Sequence, residues 1–410
     1  MKQNAFIAGI GMTRFGKHLD RGLKSLAGEA ITAALADAGL SASDLNAAYM
    51  GNAAAGVITG QVCVPGQMIL RSMGIGGIPV VNVENACSTA ATAFQQAATM
   101  ITAGMYDVVL ACGFEKLYHE DKQKTFSVFS GAVDVEAMDG VLAGISKSIA
   151  ACGGSHDSSG SGKSRSLFMD IYAAWALEHM QRYGTTREQF AAVSAKNSEH
   201  GSLNPKAQFR SKISVEEVLD AREIAWPLTL PMCSPIGDGA AAVILVSERK
   251  ARELGTARMV RVEASQLHSG WDYTEGEETV AEKAAREIYE TAALGPSDLD
   301  CVELHDASAP SEILYYEYLG LCAKGDGGKF VEDGHSSLGG RLPVNTSGGL
   351  MRKGHPIGAT GIAQIVELTQ QLRGEAGDRQ VEGARIALAE NGGGFIGNDA
   401  AAMVLTLLSR

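Results

Sequence analysis

The chain has 410 residues, of which 49 are glycine, 45% hydrophobic and only 6% aromatic. That length supports a large core, and small residues in this abundance suit close helix–sheet packing in an α/β protein rather than a disordered chain. A net charge of −12 argues against nucleic acid or an anionic bilayer as partner, although a local basic patch can still hold an anionic ligand.

Ala5 to Ile10 predicts a buried strand. In the GIGMTRFG that follows, Gly9 and Gly11 begin a dinucleotide fingerprint that fails at Arg14. The apolar run there is too short for a signal peptide or a membrane span, and no other stretch is long enough to cross a bilayer. Leu23 to Ala38 predicts an amphipathic helix ended by Gly39. Next comes VNVENACSTAATAFQQAATMITA, residues 81 to 103. Val81 and Val83 predict a short buried strand, Asn85 a cap, and a helix starts at Cys87 with Ala90, Ala93, Phe94, Ala97 and Ile101 on its apolar face. A cysteine at a helix N-terminus has its thiol pKa lowered and becomes a nucleophile; otherwise Cys87 is simply a small buried residue.

Asp107 to Gly113 predicts another buried strand. From Glu115 to Ser166 the pattern reads as irregular, polar and Gly/Ser-rich. Its Gly162-Lys163-Ser164 matches only the end of a P-loop, because Asp157 stands where the first glycine belongs. Helices follow at Phe168–Tyr183 and Thr186–His200, the second opened by Thr185 or Thr186 with Glu188 in a capping-box-like arrangement. A strand at Ala240–Val246 and a helix at Ser247–Leu254 complete a first half.

From about Arg261 the order repeats. LADAGLSASDLN at 35–46 is matched by YETAALGPSDLD at 289–300, the 107–113 strand by RIALAE at 385–390, and DGAAAVIL at 238–245 by DAAAMVL at 399–405. Such duplication predicts two βαβ-built halves, 1–255 and 256–410, neither covering its sheet alone. Residues 115–226 have no counterpart and read as an inserted loop domain that carries a binding surface. The seven cysteines (63, 87, 112, 152, 233, 301, 322) are odd in number and never spaced C-x-x-C, so a reducing cytoplasm is expected, with neither a disulfide scaffold nor a zinc ribbon.

Three further stretches carry chemistry. In VELHDASAPSE, His305 and Asp306 follow a strand at its C-terminal end, where α/β sheets place functional groups. Asp306 either orients His305 or caps a helix at Ala309–Leu319. PVNTSGGLMRKGHPIGATG, residues 343 to 361, combines close-approach glycines with His355, which as a neutral imidazole can take a thiol proton. ENGGGFIG, residues 390 to 397, predicts a glycine turn after the RIALA strand.

Together ENACSTA, HDAS, NTSGGLMRKGHPIGATG and the closing GGG turn resemble the thiolase family over essentially the whole chain, and YGTTREQFAAVSAKNSEHGSLNPKAQF with the HD motif resembles its sterol-carrier-protein-type branch. The resemblance implies a five-layer αβαβα fold of two duplicated halves, a homodimer or dimer of dimers, coenzyme A and acyl-CoA as substrates, no metal and no permanently bound cofactor. It implies thiolytic cleavage of a 3-oxoacyl-CoA, or the reverse condensation, through an acyl group on Cys87. His355 would activate that sulfur. His305 would hold the thioester oxygen, and backbone N–H groups of Cys87 and Gly392, Gly393 and Gly394 the acyl carbonyl. The family's usual second thiol belongs in the last glycine turn, where Glu390 and Asn391 stand, or after the HD pair, where Ala307 stands. Glu390, Asn391 or His355 would then handle the proton, Glu390 as a base if desolvated, or else as a solvated turn residue. This departure points to a specialised branched or aromatic substrate. Relatives in this branch also imply a small zinc-ribbon/OB-fold partner subunit. A thiolase-fold retro-aldolase and a non-catalytic acyl-CoA-binding subunit are the rival readings, the first disfavoured by the presence of Cys87 and His355. Coenzyme A contacts are not assigned; Lys163, Arg165 and Lys206 are available cations.

Overall fold

The computed structural model describes residues 2–274 and 276–410. Among these, nine strands form one mixed sheet: β1 (Lys2–Met12), β2 (Ala47–Gly51), β3 (Val80–Val83), β4 (Val108–Glu115), β5 (Gly239–Ser247), β6 (Val260–Ser269), β7 (Cys301–Glu303), β8 (Ile386–Gly393) and β9 (Ala402–Ser409). Their spatial order is β3-β2-β4-β5-β1-β6-β9-β8-β7. The principal helices are α1 (Leu23–Ala38), α2 (Thr89–Thr102), α3 (Lys122–Ser130), α4 (Met138–Ala151), α5 (Leu167–Tyr183), α6 (Arg187–Leu203), α7 (Val280–Ala292), α8 (Ala309–Tyr318), α9 (Gly349–Lys353) and α10 (Thr360–Arg373).

The sheet reads the same outward from its middle. One side runs β1-β5-β4-β2-β3, the other β6-β9-β8-β7, and Val344 bridges Val302 in parallel where β3 pairs with β2 on the first side. The matched sequence segments therefore occupy matched places: β4 answers β8, and β5 answers β9. Helices α2 and α10 pack on each other between the two sides, α1 covers the outside of β1, β4 and β5, and α7 covers β6 and β9. The result is the five-layer αβαβα arrangement.

Strands between two helix layers are apolar on both faces. On β5, Ala241, Val243 and Leu245 enter the central core with α2 and α10, whereas Ala242, Ile244 and Val246 pack under α1. Gly9 and Gly11, which mimic the start of a nucleotide loop, serve that packing: a Cβ would lie 2.2 Å from Ala34 O at Gly9 and 2.3 Å from Ala30 O at Gly11. Only glycine lets α1 rest so closely on β1.

Several expectations are corrected. The stretch 115–166 is not irregular throughout, since it contains α3 and α4, whose Ile145 and Ile149 pack with Leu167 and Ile171 of α5 in a small separate core. Val81 is 43% exposed because β3 is an edge strand. The cap of α6 uses Thr186 with Gln189, not Glu188. Ser308 caps α8, so Asp306 does not. Glu390 to Gly393 still belong to β8, and the turn begins only at Gly394, which has a φ of +66°. Among the described residues no helix is long and apolar enough to cross a membrane.

Candidate active site

Cys87 lies on a single 3-10 turn, Ala86–Ser88, and α2 proper starts at Thr89. The turn is held from three directions. Asn85 does not cap it; its amide instead donates to Thr92 Oγ1 at 3.0 Å, while Thr89 Oγ1 accepts the Asn85 N–H at 2.8 Å. Ala86 adopts a positive φ of 48°, a conformation that non-glycine residues keep only when their surroundings enforce it. Ser88 Oγ donates to Asn391 O at 2.5 Å, fixing the turn to β8. Gly393 is required there, since a Cβ would stand 2.5 Å from Asn85 O and Ser88 N.

His355 and His305 meet Cys87 across this junction. One ligating atom from each of Cys87, His305 and His355 lies within 4.8 Å of the others. The two imidazole rings meet edge to face with centroids 5.1 Å apart. One thiol and two ring nitrogens at this separation also make a donor set of the kind that binds a metal ion. Thr360 Oγ1 donates to Pro356 O at 3.2 Å and so accepts from His355 Nδ1 at 2.8 Å. That network leaves His355 Nε2 with a free lone pair. His305 Nε2 is buried and has no hydrogen-bond partner among the described residues.

Burial sets the electrostatics. It pushes the Cys87 thiol up to about 12, aided by the carboxylates of Glu115 and Glu84 and opposed by the N–H of Gly394 and of Cys87 itself. The lowered thiol pKa expected from the helix start is thus overturned. Burial also lowers His305 to about 3, and holds His355 well below the usual imidazole range with His305 and Lys353 adding to the effect. The resting pair is therefore thiol and neutral imidazole, not a preformed ion pair.

Glu390 is not a solvated turn residue. It is fully buried, its Oε2 accepts the backbone N–H of His305 at 2.9 Å, and its Oε1 has no partner among the described residues. Burial raises its carboxyl to about 8 against the N–H groups of His305 and Gly392. Its neighbour Asn391 faces the other side of β8, where Oδ1 is 2.5 Å from the point a Cβ on Gly361 would occupy, and neither amide atom is hydrogen-bonded among the described residues.

Supporting groups that the sequence pattern did not single out hold these loops. Glu115, at the end of β4, accepts N–H groups of Ala54 at 3.2 Å and Gly358 at 3.0 Å, tying the GATG loop to the first half. Asp306 orients no imidazole; its carboxylate accepts Leu350 N–H at 2.7 Å, at the start of α9, and Asn197 Nδ2 at 2.9 Å. Glu312 takes Asn197 and Asn345, each at 2.7 Å, together with Lys196 and Tyr316. Glu303 and Lys353 pair at 3.0 Å with both side chains buried. The one available signal was the position of these charges next to apolar runs, where an unpaired charge is too costly to persist. Of the cations set aside for coenzyme A, Arg165 is paired with Asp170 at 2.7 Å, whereas Lys163 is exposed and Lys206 is half-buried.

Two family models cover the chain: "Thiolase, N-terminal domain" at residues 5–223 and "Thiolase C-terminal domain-like" at 261–406. An acetyl-CoA acetyltransferase of Methanothermobacter thermautotrophicus is 40% identical over 401 residues, covering 96% of this chain and 97% of its own. The benzoylsuccinyl-CoA thiolase subunit BbsB of Thauera aromatica is 35% identical over 404 residues, covering 96% of each chain. Among solved structures, the Ltp2-ChsH2(DUF35) aldolase superposes with a TM-score of 0.78 at 28% identity, covering 99% of this chain and 97% of that one. With its duplicated sheet, its meeting of Cys87 with two histidines and these matches along its length, the chain belongs to the thiolase family.

Proposed function

We propose that Cys87, His355, His305 and Glu390 perform coenzyme-A-dependent thiolytic cleavage of a 3-oxoacyl-CoA. The convergence of one sulfur and two ring nitrogens within 4.8 Å carries this reading. The Cys87 sulfur attacks the C3 carbonyl as His355 Nε2 takes its proton, a transfer coupled to attack because both groups rest neutral. The N–H groups of Gly394 and Cys87, which face the sulfur, receive the carbonyl oxygen as it becomes an oxyanion. The C2–C3 bond then breaks, leaving the acyl group on Cys87 and an enolate of the shortened thioester. His305 Nε2–H holds the enolate oxygen, and the protonated carboxyl of Glu390 delivers the proton to C2. Coenzyme A next attacks the acyl-cysteine and gives its thiol proton to the ionised Glu390, while His355 returns to the departing Cys87 sulfur the proton it had taken, so that thiol, imidazole and carboxyl all end as they began. In the reverse direction the ionised Glu390 removes the C2 proton. Asn391, an amide on the other face of β8, has no proton to exchange near neutral pH.

The missing second thiol and the buried carboxyl in its place support a specialised substrate, and the benzoylsuccinyl-CoA thiolase relative makes an aromatic acyl group the first to assay. The uncovered edge of β3, with Val81 outward, supports a homodimer. The aldolase neighbour, whose name includes a DUF35 component, supports a partner subunit. Seven free cysteines suit the cytoplasm.

The test is cleavage of a panel of 3-oxoacyl-CoAs by wild type and Cys87→Ala, with mass spectrometry of the protein. An acyl adduct on Cys87 and a loss of about 10³-fold or more in kcat in the variant are expected. Release of an aldehyde or ketone without an adduct would instead assign retro-aldol cleavage. Tight binding with neither product nor adduct would assign a binding subunit.

A further inference from the structure

The carboxylate of Glu115 takes no part in the reaction above, yet the segments that carry the reacting groups converge on it. Its Oε1 accepts Asn52 Nδ2 at 3.1 Å and the N–H groups of Lys116 at 3.2 Å and Ala54 at 3.3 Å. Its Oε2 accepts the N–H groups of Gly358 at 3.0 Å, Ala54 at 3.2 Å and Ala53 at 3.3 Å. Both oxygens are thus filled by donors from three separate stretches of chain. The side chain is fully buried, and no cation pairs with it among the described residues. Lys116 turns its ammonium to Asp238 at 2.7 Å, and Lys124 donates to Ile58 O at 3.0 Å. Cys87, the other titratable group close by, is neutral.

What these bonds join is the surroundings of the sulfur and the loop of its base. Ala53, Ala54 and Cys87 pack on one small apolar cluster of Ile58, Leu117, Val128 and Ile357, the last from the His355 loop. Gly358 lies inside the turn 355–360, within which the bond from His355 Nδ1 to Thr360 Oγ1 orients the imidazole. The N–H groups of Ala359 and Thr360 close that turn on Pro356 O at 2.8 and 3.1 Å. Fastening so tight a turn at Gly358 therefore fixes where His355 stands relative to Cys87. The fit leaves no slack: a Cβ on Gly358 would lie 2.8 Å from Glu115 Oε2 and 2.9 Å from both Ala53 N and Phe114 O. An ionised carboxylate accepts from all these groups, whereas a protonated one turns an O–H towards N–H donors. Burial raises Glu115 to about 7, against the N–H groups of Lys116, Ala54, Gly358 and Ala53. Both imidazoles titrate far lower, and Glu390 and the thiol higher, at about 8 and about 12.

We propose that ionised Glu115 is a positioning residue for the reaction, a clip that holds the His355 turn at proton-transfer distance from the Cys87 sulfur and lets it go when protonated. The proposal rests on the thiolytic reading, in which His355 is the base. Its test follows kcat, KM and acylation of Cys87 across pH in wild type, Glu115→Gln, His355→Ala, the double variant of these two, and Asn52→Ala. Wild type is expected to gain rate as pH rises through about 7 and the clip ionises. An amide sets an NH2 against N–H donors on one side, so Glu115→Gln should lose about 10²-fold in kcat, with KM within about threefold, and lose the rising limb. Asn52→Ala removes one donor but leaves the carboxylate, and should move that limb to higher pH. His355→Ala should cost far less in the Glu115→Gln background than in wild type, because both changes disable one transfer. Losses that multiply in the double variant, or a limb unmoved by Glu115→Gln and Asn52→Ala, overturn the clip. Should Glu115→Gln not fold, the limb in Asn52→Ala decides alone. Mass spectrometry separates the two levels of failure: Cys87 acylated in wild type with these variants unresponsive removes only the clip, whereas no acylation by any 3-oxoacyl-CoA removes the thiolytic reading and the clip together.

Discussion

At Cys87 two influences oppose each other. The helix start favours a thiolate, but burial and the nearby carboxylates of Glu115 and Glu84 outweigh it and raise the thiol to about 12. Local sequence shows the first influence and hides the second, because Glu115 is 28 positions away and reaches the site only through folding. Glu390 is the parallel case: its place in the last glycine motif is readable, but whether it is solvated depends on what covers β8. With burial raising its carboxyl to about 8, Glu390 is protonated below that pH and ionised above it. As the proton donor to C2, it supports cleavage fully on the acid side and loses that role as pH rises through about 8. The pH profile of kcat for cleavage should therefore show a falling limb near pH 8. Glu390→Gln should lose that limb and about 10²–10⁴-fold in kcat, the usual range for a positioned acid or base. A limb unchanged in the variant would reassign the proton transfer.

On the scale of single elements, α9 and the loop around it show why the histidines are so well placed. This short helix has Asp306 at its first N–H groups and Lys353 at its end, and both residues are buried. Lys353 donates to Glu303 at 3.0 Å and to Ser347 Oγ at 2.8 Å, so strand β7 and the NTSGG loop are held as one piece. Removing one partner of such a pair leaves a buried charge uncompensated. Lys353→Met is expected to cost about 3–5 kcal/mol of stability, read from the urea midpoint, and Glu303→Leu in the same chain should restore part of it. A single-variant loss within about 0.5 kcal/mol would mean that the pair is not what holds the loop. Periodicity located the helices well here: α1 and its terminal Gly39 match the expected bounds, and Ser247 caps the short helix Glu248–Leu254. It failed for α4, whose glycines and serines mask a weak apolar face that is buried only once α5 lies against it, and for α3, whose Val128 packs with the distant Ile58, Leu117 and Ile357.

Across the whole molecule, the contact of α2 with α10 decides cooperativity. Each helix fills the gap between the two sides of the sheet, and β1 pairs with β6 along the junction. A chain ending at residue 255 would leave Ala90, Ala93, Phe94 and Ala97 without the Ile362, Ala363 and Val366 side of the central core. We therefore expect the isolated 1–255 fragment to lack a cooperative urea transition, while the full chain unfolds with the second half included in its steepest step. A fragment that melts cooperatively with native near-ultraviolet dichroism would show that the halves are independent.

The amino-acid sequence by itself determined the duplicated α/β architecture, most strand and helix positions, and the three residues Cys87, His305 and His355. These follow from apolar periodicity and from short motifs whose residue types are tied to local geometry. Only the tertiary structure decided the charge state of the thiol, the burial of Glu390 and the use of Asp306 as a cap for α9. Those outcomes depend on desolvation and on contacts between residues far apart in the chain, and neither quantity is a property of any local stretch of sequence.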